Sequence, residues 1–254
     1  MNDRLDGFGG VVLAAGRGSR MGSSIPKVLL PLEGRPMVSI VVETLRSAGI
    51  AQIVVVVSEL GQGVRDALGD SVTYAVQSAP TGTGDAAATA LEAFGPRIHH
   101  IVLACGDSPL FRRETVIRLV DAHARASAMI TLTSAILDDP TGYGRIMRDG
   151  NGRICGIVEE SKAGEIDRNL KEINGGLYAF DVEWLRRQLD DRQPSDGEFV
   201  LTEVVRLAAA KCEVIASVEC EGDEVLGANT LDQLCQAEEI LRKRGDGPTL
   251  QEVC

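Results

Sequence analysis

The chain has 254 residues, of which 44% are hydrophobic and 25% are charged. This composition is typical of a globular protein, and it excludes a disordered or fibrous chain. The formal net charge of -11 argues against broad binding to nucleic acids or anionic membranes, because both depend on many Lys and Arg contacts with phosphate groups.

The first part of the chain alternates short apolar runs with amphipathic helical patterns. Continuous Val, Ile and Leu runs followed by patterns of period 3.6 indicate parallel strands that are buried on both faces and joined by helical crossovers. The sequence therefore predicts an α/β fold with a doubly wound, mostly parallel, Rossmann-like sheet. The predicted strands and helices lie, in chain order, in GGVVLAA, PMVSIVVETLRSAG, QIVVVVS, Gln62 to Leu68, VTYAVQ, DAAATALEAFG, HIVLACGD, ETVIRLVDAHARA and AMITLTSAIL.

From Asp139 to Phe180 the pattern changes to alternating segments separated by turns. This pattern predicts a small antiparallel excursion that covers one side of a site. Helices follow at Val182 to Leu189, Thr202 to Ala210 and Leu231 to Arg244. The last helix has an apolar stripe, and we expect the stripe to pack on its own domain. The stripe consists of Leu231, Leu234, Ala237 and Leu241.

The chain shows no Pro/Gly-rich linker and no internal repeat, so we predict one catalytic-type domain at residues 1–229 and a C-terminal helix and tail at residues 230–254.

The N-terminal MNDRLDGFGG lacks the apolar core of a signal peptide, and no later stretch reaches the roughly 20 apolar residues that span a bilayer. Six cysteines occur without CxxC pairs, and the three histidines have no metal-ligand spacing. We therefore expect a cytoplasmic protein with reduced thiols and structural histidines, without nucleic-acid or membrane partners. The oligomeric state stays open.

A loop of small residues, LAAGRGSRM, follows the first predicted strand. The backbone at Gly16 and Gly18 can approach phosphate closely, and Arg20 and Lys27 add positive charge. GxGxxG would require glycine where Met21 stands, and GxxxxGK[ST] is absent, so neither a dinucleotide-binding nor a P-loop motif is present. By composition alone, a triphosphate cradle and a flexible turn are equally good interpretations.

Asp107 lies just beyond the predicted strand HIVLACGD. A lone carboxylate there is costly unless it has a partner, and Mg²⁺ favours one or two such oxygens together with substrate phosphates. The alternative is an ordinary turn residue at the end of a strand. No residue near Cys105 in the sequence would activate its thiolate, so we do not expect it to be a nucleophile.

The stretches LAAGRGSRM and PKVLLPLEGRPM resemble the signature of the sugar-phosphate nucleotidyltransferases, and most of all the uridylyltransferase domains of the bifunctional N-acetylglucosamine-1-phosphate uridylyltransferases. Five further blocks match that family in the same order, and the whole match runs from about residue 9 to residue 240. With the opening signature counted as one, these six ordered blocks are far more specific than one glycine-rich loop. The five blocks are QSAPTGTGDA, ACGDSPL, DDPTGYGRI, GIVEESKA with EINGGLYAFD, and GEFVLTEVV with GANTLDQLCQAE.

The resemblance implies a glycosyltransferase-A-like fold and a role for each matching residue. Arg20 and Lys27 would act on the phosphates, and Asp107 with Asn229 would hold Mg²⁺, although Asn229 also fits the cap of the last helix. The uracil and ribose would contact Leu13, Ala14, Ala15, Gly16, Gly18, Gln77, Gly82 and Thr83. The sugar would contact Gly144, Glu159 and Asn174.

The resemblance also implies the reaction: Mg²⁺-dependent transfer of UMP from UTP to a sugar 1-phosphate, foremost N-acetylglucosamine 1-phosphate. Open alternatives are a glucose-type acceptor, dTTP or CTP as the donor, and a regulatory protein that only binds nucleotide sugars. Cytidylyltransferases, molybdenum-cofactor guanylyltransferases and retaining glycosyltransferases match the blocks less completely. No hexapeptide repeat follows Arg244, so we expect no acetyltransferase β-helix and no acetyl-CoA site.

Overall fold

The computed structural model describes residues 5–16, 25–79, 81–191 and 199–245. Among the helices in these ranges, none has the length and apolar character needed to cross a membrane. The strands are β1 (Phe8–Leu13), β2 (Pro31–Leu32), β3 (Arg35–Pro36), β4 (Ile53–Ser58), β5 (Thr73–Gln77), β6 (His100–Cys105), β7 (Ile130–Ile136), β8 (Arg145–Arg148), β9 (Ile154–Val158), β10 (Glu172–Asp181) and β11 (Ile215–Glu219). The α-helices are α1 (Met37–Ser47), α2 (Gln62–Leu68), α3 (Thr83–Leu91), α4 (Arg113–Ala126), α5 (Glu165–Arg168), α6 (Val182–Asp190), α7 (Glu203–Ala210) and α8 (Leu231–Arg244).

The central sheet has the strand order β11-β7-β10-β6-β1-β4-β5. Strand β1 pairs in parallel with β4 and β6, β4 pairs in parallel with β5, and β7 pairs in parallel with β11. Only β10 on this path is antiparallel to its neighbours, β6 and β7. The predicted α/β fold with a mostly parallel sheet is therefore confirmed, and so is its cause, since the central strands are buried on both faces.

The predicted antiparallel excursion is also present. Strands β8 and β9 pair with each other beside the main path, and Arg145 of β8 pairs with Ile173 of β10. Two features were not predicted. Strand β10 inserts into the middle of the sheet instead of remaining at the excursion, and β11 extends the sheet beyond β7.

Helices cover both faces of the sheet. On one face, α1 and α4 bury residues such as Leu45 and Leu119 against the strands. On the other face, α3, α6 and α7 bury residues such as Leu91, Trp184 and Val204. The two layers leave the carboxyl ends of the parallel strands as the open edge of the sheet, which is where ligands bind in folds of this type.

Helix α8 packs on its own domain, as its apolar stripe predicted. Ala237 and Leu241 are buried in a small cluster with Leu32, Met37 and Leu110. The first residue of the stripe does not follow the prediction, because Leu231 is 67% exposed. The stripe therefore contributes to stability only through its later turns.

We expect Leu241→Ala to lower the free energy of unfolding by about 2–3 kcal/mol, because it removes buried methyl groups and leaves a cavity beside Met37. The matched control is Leu231→Ala in the first turn of the same helix, which should change it by less than about 0.5 kcal/mol. Urea denaturation of both variants gives the comparison. Equal effects would show that the last turns of α8 do not pack as described.

A pair of histidines lies under the amino-terminal end of β6. His123 of α4 is buried, and its ring nitrogens lie 3.0 Å from Thr131 Oγ1 and 3.3 Å from His100 Nδ1. Burial, and then the neighbouring His100, lower the pKa of His123 to about 4, while Asp181 acts in the opposite direction. This geometry is the structural role expected for the histidines.

The lowered pKa predicts a loss of stability in acid. Below about pH 6.5 the unfolded chain protonates this side chain while the native state keeps it neutral, so about 2 kcal/mol of stability should be lost between pH 7 and about pH 4.5. Urea unfolding of the wild type and of His123→Gln at both pH values isolates this contribution, since the other titrating groups cancel. The stability difference between the two proteins should shrink in acid, and a constant difference would contradict the assignment.

Candidate functional site

Several predicted site residues lie where the parallel strands end. Leu13 ends β1, Gln77 ends β5, and Asp107 lies two residues beyond β6. The loops after β1 and β6 are joined directly, because the backbone N–H of Gly106 donates to the carbonyl of Leu13 at 2.9 Å. The antiparallel β10 begins at this same edge and brings Asn174 to it. The topology thus collects residues from distant parts of the chain along one edge.

Three polar side chains meet around one positive charge at this edge. The ammonium of Lys27 donates to Asp107 Oδ2 at 2.5 Å and to Asn229 Oδ1 at 2.6 Å. Lys27 is only 8% exposed. We call these three residues the Lys27 cluster. It joins the two residues expected to hold a metal and one residue expected to act on the phosphates.

Local structure explains how the Lys27 cluster forms. Lys27 begins a short 3₁₀ helix, Lys27–Leu29, directly after Pro26. The backbone N–H of Ala228 donates to the carbonyl of Asp107 at 3.3 Å, which holds the segment before α8 against the end of β6. Thr230, and not Asn229, is the N-cap of α8. The side chain of Asn229 therefore turns to Lys27, and the capping alternative for Asn229 is wrong.

The Lys27 cluster fits a cation site. Among the residues that the structure describes, no group of three or more His, Cys, Asp and Glu side chains could hold a metal ion. Mg²⁺ does not need such a group, because it usually keeps several waters and takes only one or two protein oxygens beside substrate phosphates. Asp107 Oδ2 and Asn229 Oδ1 converge on one ammonium, so their oxygens are already arranged around a positive charge.

The residues expected to hold the base form a second group around the start of α3. Gln77 is 7% exposed, and its Nε2 donates to the carbonyl of Gly82 at 3.1 Å and to Asp85 Oδ2 at 2.9 Å. The hydroxyl of Thr83 accepts a hydrogen bond from the backbone N–H of Leu201 at 2.8 Å. The turn that was expected to face the base is therefore anchored on both sides.

The conformation of Gly82 is one that only glycine adopts easily. Its φ is +118°, and a Cβ there would lie 2.2 Å from the carbonyl oxygen of Phe199. The backbone of Gly84 donates to that same oxygen at 2.9 Å. The approach of Phe199 thus explains the glycines of TGTG, and it fixes the turn that carries Gln77's partners.

The loop after β1 is described only in part. Ala14 is buried and its N–H donates to the carbonyl of Val56 at 2.8 Å, while Gly16 is exposed and a Cβ there would meet open space. Leu13 and Ala15 are partly exposed beside it. Two predicted residues of the loop, Gly18 and Arg20, lie outside the described residues.

The three residues expected to contact the sugar, Gly144, Glu159 and Asn174, lie together, and we call them the sugar region. The backbone N–H of Asn174 donates to the carbonyl of Gly144 at 2.8 Å. A Cβ placed on Gly144 would lie 3.6 Å from Glu159 Oε2 and 3.7 Å from Asn174 Cβ. Gly144 therefore lies close to both polar side chains, and a larger residue would be excluded because its Cβ would lie 2.9 Å from Ile157 Cγ2.

Supporting residues hold the polar groups of the sugar region in place, and no sequence pattern indicated them. Thr202 donates to Glu159 Oε1 at 2.6 Å. Asn174 donates from Nδ2 to the hydroxyl of Tyr178 at 2.5 Å. Tyr178 is buried, and that burial raises the pKa of its phenol far above the usual range, so it stays neutral.

A buried arginine connects the two loops of the sugar region. Arg145 is 1% exposed, donates to the carbonyl of Tyr143 and forms an ion pair with Glu160 at 2.8 Å. Its two partners stand next to Gly144 and Glu159 in the chain. No alternation of buried and exposed residues along β8 indicates that Arg145 is buried, and spacing along the chain does not reveal its partners.

Cys105 behaves as expected. Burial, and then the neighbouring Asp107, raise the pKa of its thiol to about 12, although Lys27 acts in the opposite direction. Almost no thiolate forms at neutral pH, so Cys105 is not an activated nucleophile. All five cysteines of the described ranges are free thiols.

Comparison with known proteins gives a consistent result. The MobA-like NTP transferase domain family matches residues 10–155. The bifunctional protein GlmU of Caldanaerobacter subterraneus subsp. tengcongensis is 41% identical over 236 residues, which cover 92% of this chain and 51% of that protein. The bifunctional protein GlmU of Heliobacterium modesticaldum is 39% identical over 237 residues, with 92% and 52% covered. The chain spans about half the length of these curated relatives.

The fold has a close match among solved structures. A Bacillus anthracis protein, assigned as a glucose-1-phosphate thymidylyltransferase and solved with a sucrose, aligns with a TM-score of 0.79 and 23% identity. The alignment covers 92% of this chain and 95% of that one. At this identity the likeness shows the α/β fold alone.

Proposed function

Since the chain belongs to the family of MobA-like NTP transferase domains, we propose that it transfers UMP from UTP to a sugar 1-phosphate, foremost N-acetylglucosamine 1-phosphate, and releases pyrophosphate. The observation that carries this proposal is the Lys27 cluster, which joins a buried cation to two oxygens beside the loop after β1. Such a site is suited to polyanions that must be brought together.

The family name alone leaves the nucleotide open. The preference for UTP is supported by the ordered sequence blocks and by relatives at about 40% identity that are named bifunctional protein GlmU. Because the chain spans only about half of those proteins, the uridylyl transfer is a proposal for this chain, and no acetyl transfer is proposed.

The chemistry requires positioning and charge neutralisation. An oxygen of the sugar 1-phosphate attacks the α-phosphorus of UTP in line. The bond between the α-phosphorus and the oxygen that bridges it to the β-phosphorus breaks, and pyrophosphate leaves with the electron pair of that bond. No covalent enzyme intermediate is needed. Lys27, and by resemblance Arg20, would neutralise charge on the α-phosphate and the leaving group. Without such neutralisation the two anionic substrates repel each other.

Mg²⁺ is the metal that the donor set favours, and Asp107 and Asn229 would hold it. When bound, it would supply further neutralisation and orient the phosphate oxygens. The ammonium of Lys27 already lies between the same two oxygens. Lys27 would then turn from those oxygens to the phosphates, which its unbranched and flexible side chain allows.

The sugar end is assigned to Gly144, Glu159 and Asn174. Glu159 and Asn174 offer hydrogen bonds whose loss in a buried site is costly, so a sugar that lacks the matching hydroxyl or acetamido group would bind poorly. The hydrogen bonds from Thr202 and to Tyr178 hold both side chains in place. This arrangement supports selection of one sugar 1-phosphate.

We also infer a cytoplasmic location, because the proposed donor is a nucleoside triphosphate and the described cysteines are free. The proposed partners are the two small-molecule substrates. The net charge of -11 weighs against nucleic acids as partners.

The test is pyrophosphate release with Mg²⁺, measured for UTP, dTTP, CTP and GTP against the 1-phosphates of N-acetylglucosamine, glucosamine, glucose and galactose. Turnover should peak with UTP and N-acetylglucosamine 1-phosphate. It should be lost in Asp107→Ala and retained in Asp138→Ala, whose fully exposed carboxylate serves as the control. A peak at another pair would overturn the substrate assignment, and binding of nucleotide sugars without any turnover would show a regulatory protein instead.

A further inference from the structure

The carboxylate of Asp85 controls which face of the Gln77 amide is available. Gln77 Nε2 donates to Asp85 Oδ2 at 2.9 Å and to the carbonyl of Gly82 at 3.1 Å. A carboxylate and a carbonyl accept hydrogen bonds but cannot donate them. The amide nitrogen must therefore face both partners, and a flipped amide would place oxygen against oxygen.

The hydrogen bonds to Asp85 and Gly82 use both hydrogens of the amide. Gln77 is nearly buried, so it cannot turn away to solvent. The group that remains for a ligand is the oxygen Oε1, which only accepts. Asp85 is well placed to keep this arrangement, because it stands in the first turn of α3, where the helix dipole stabilises a negative charge.

We propose that Asp85 is a positioning residue that makes the nucleotide site prefer uracil or thymine over cytosine, by holding Gln77 with its oxygen toward the base. The proposal rests on the proposed function, which brings a nucleotide to Gln77. Uracil and thymine carry an N–H at ring position 3, which can donate to Oε1. Cytosine carries a lone pair at that position, and two acceptors facing each other are repulsive.

The hydrogen bond from Gln77 explains the orientation of the Asp85 side chain better than an interaction with the helix dipole alone. A helix charge would need only exposure at the first turn, whereas this carboxylate reaches back across the turn to the end of β5. The hydroxyl of Thr89 donates to the backbone carbonyl of Asp85 at 2.9 Å, which further fixes its place in the helix. The specificity of the site is then set by a residue that does not touch the base.

The experiment compares UTP with CTP in the wild type, Asp85→Asn and Asp85→Ala. We expect the ratio of kcat/KM for UTP to that for CTP to fall by about tenfold or more in Asp85→Ala, because the amide loses a charge-assisted hydrogen bond. The ratio should fall less in Asp85→Asn, because the amide oxygen of asparagine still accepts a hydrogen bond from Gln77. The control is Glu92→Gln, which removes an exposed negative charge at the other end of α3 and should leave the ratio unchanged. If Asp85 had a merely structural role, its substitution would lower kcat/KM equally for both nucleotides, and this result would overturn the proposal.

Calorimetric binding of UTP and CTP without the sugar substrate separates this proposal from the proposed function. An inactive wild type that still binds UTP more tightly than CTP, with the preference reduced in Asp85→Ala, would overturn the transferase activity and support the role of Asp85. A preference that survives Asp85→Ala unchanged, or a wild type without any preference, would overturn the role of Asp85 whatever the activity. Circular dichroism of each variant confirms that it is folded.

Discussion

Lys27→Met is expected to lower kcat for pyrophosphate release by about 100- to 1,000-fold, the usual effect of removing one preorganised electrostatic group from a reaction centre. Methionine keeps most of the side-chain volume but removes the ammonium that lies 2.5 Å from Asp107 and 2.6 Å from Asn229. The α-phosphate and the leaving pyrophosphate would lose a neutralising charge. Initial rates at saturating substrates and Mg²⁺ measure this effect.

The control is Lys171→Met, which removes a lysine from an exposed ion pair with Asp138. Such pairs contribute little, so the control should keep the wild-type rate. Thermal unfolding of Lys27→Met should show a folded protein. If its kcat stays within about fivefold of the wild type, well short of the loss expected for an electrostatic group, then Lys27 serves only to balance the charge of Asp107.

The largest expected effect on stability is that of Arg145→Met, which should lower the free energy of unfolding by about 3 kcal/mol. Arg145 is almost completely buried and pairs with Glu160, whose side chain is only 33% exposed. Removing Arg145 takes away the charge that faces Glu160, and the partial exposure of Glu160 to water compensates this loss only in part. The carbonyl of Tyr143 loses its donor as well. Urea denaturation measures the loss.

Arg148→Met is the matched control for Arg145→Met. Both arginines belong to β8, but the side chain of Arg148 is one-third exposed where it forms a bidentate pair with Glu172, so its loss should cost about 1–2 kcal/mol, less than that of Arg145. Arg145→Met should also raise KM for the sugar 1-phosphate, because the partners of Arg145 adjoin Gly144 and Glu159. Equal destabilisation by the two substitutions would show that the buried pair has no special weight.

The Lys27 cluster and the sugar region differ in which residues hold them in place, so substitutions in the two regions have different expected effects. The Lys27 cluster is held by contacts among residues that would themselves meet the substrates, so substitutions there act on the reaction. The sugar region is held by residues behind the contacting side chains, such as Thr202, Tyr178 and Arg145. Substitutions of these supporting residues are expected to change stability and substrate affinity together.

The sequence by itself determined the fold class and the identity of most candidate residues. Periodicity is a local property, so the alternation of buried strands with amphipathic helices could be read without knowing the path of the chain. The residue types also carried their chemistry, as in a lone carboxylate at Asp107 after a buried strand. The order of the motif blocks then pointed to nucleotidyl transfer.

Only the tertiary structure decided which of these residues meet. Lys27 contacts Asp107, 80 residues away, and Asn229, 202 residues away, and no local pattern encodes such a separation. The insertion of β10 between β6 and β7 and the orientation of the Gln77 amide depend in the same way on neighbours from other elements. Hydrogen-bond partners are set by distance in space, whereas a sequence pattern reports distance along the chain.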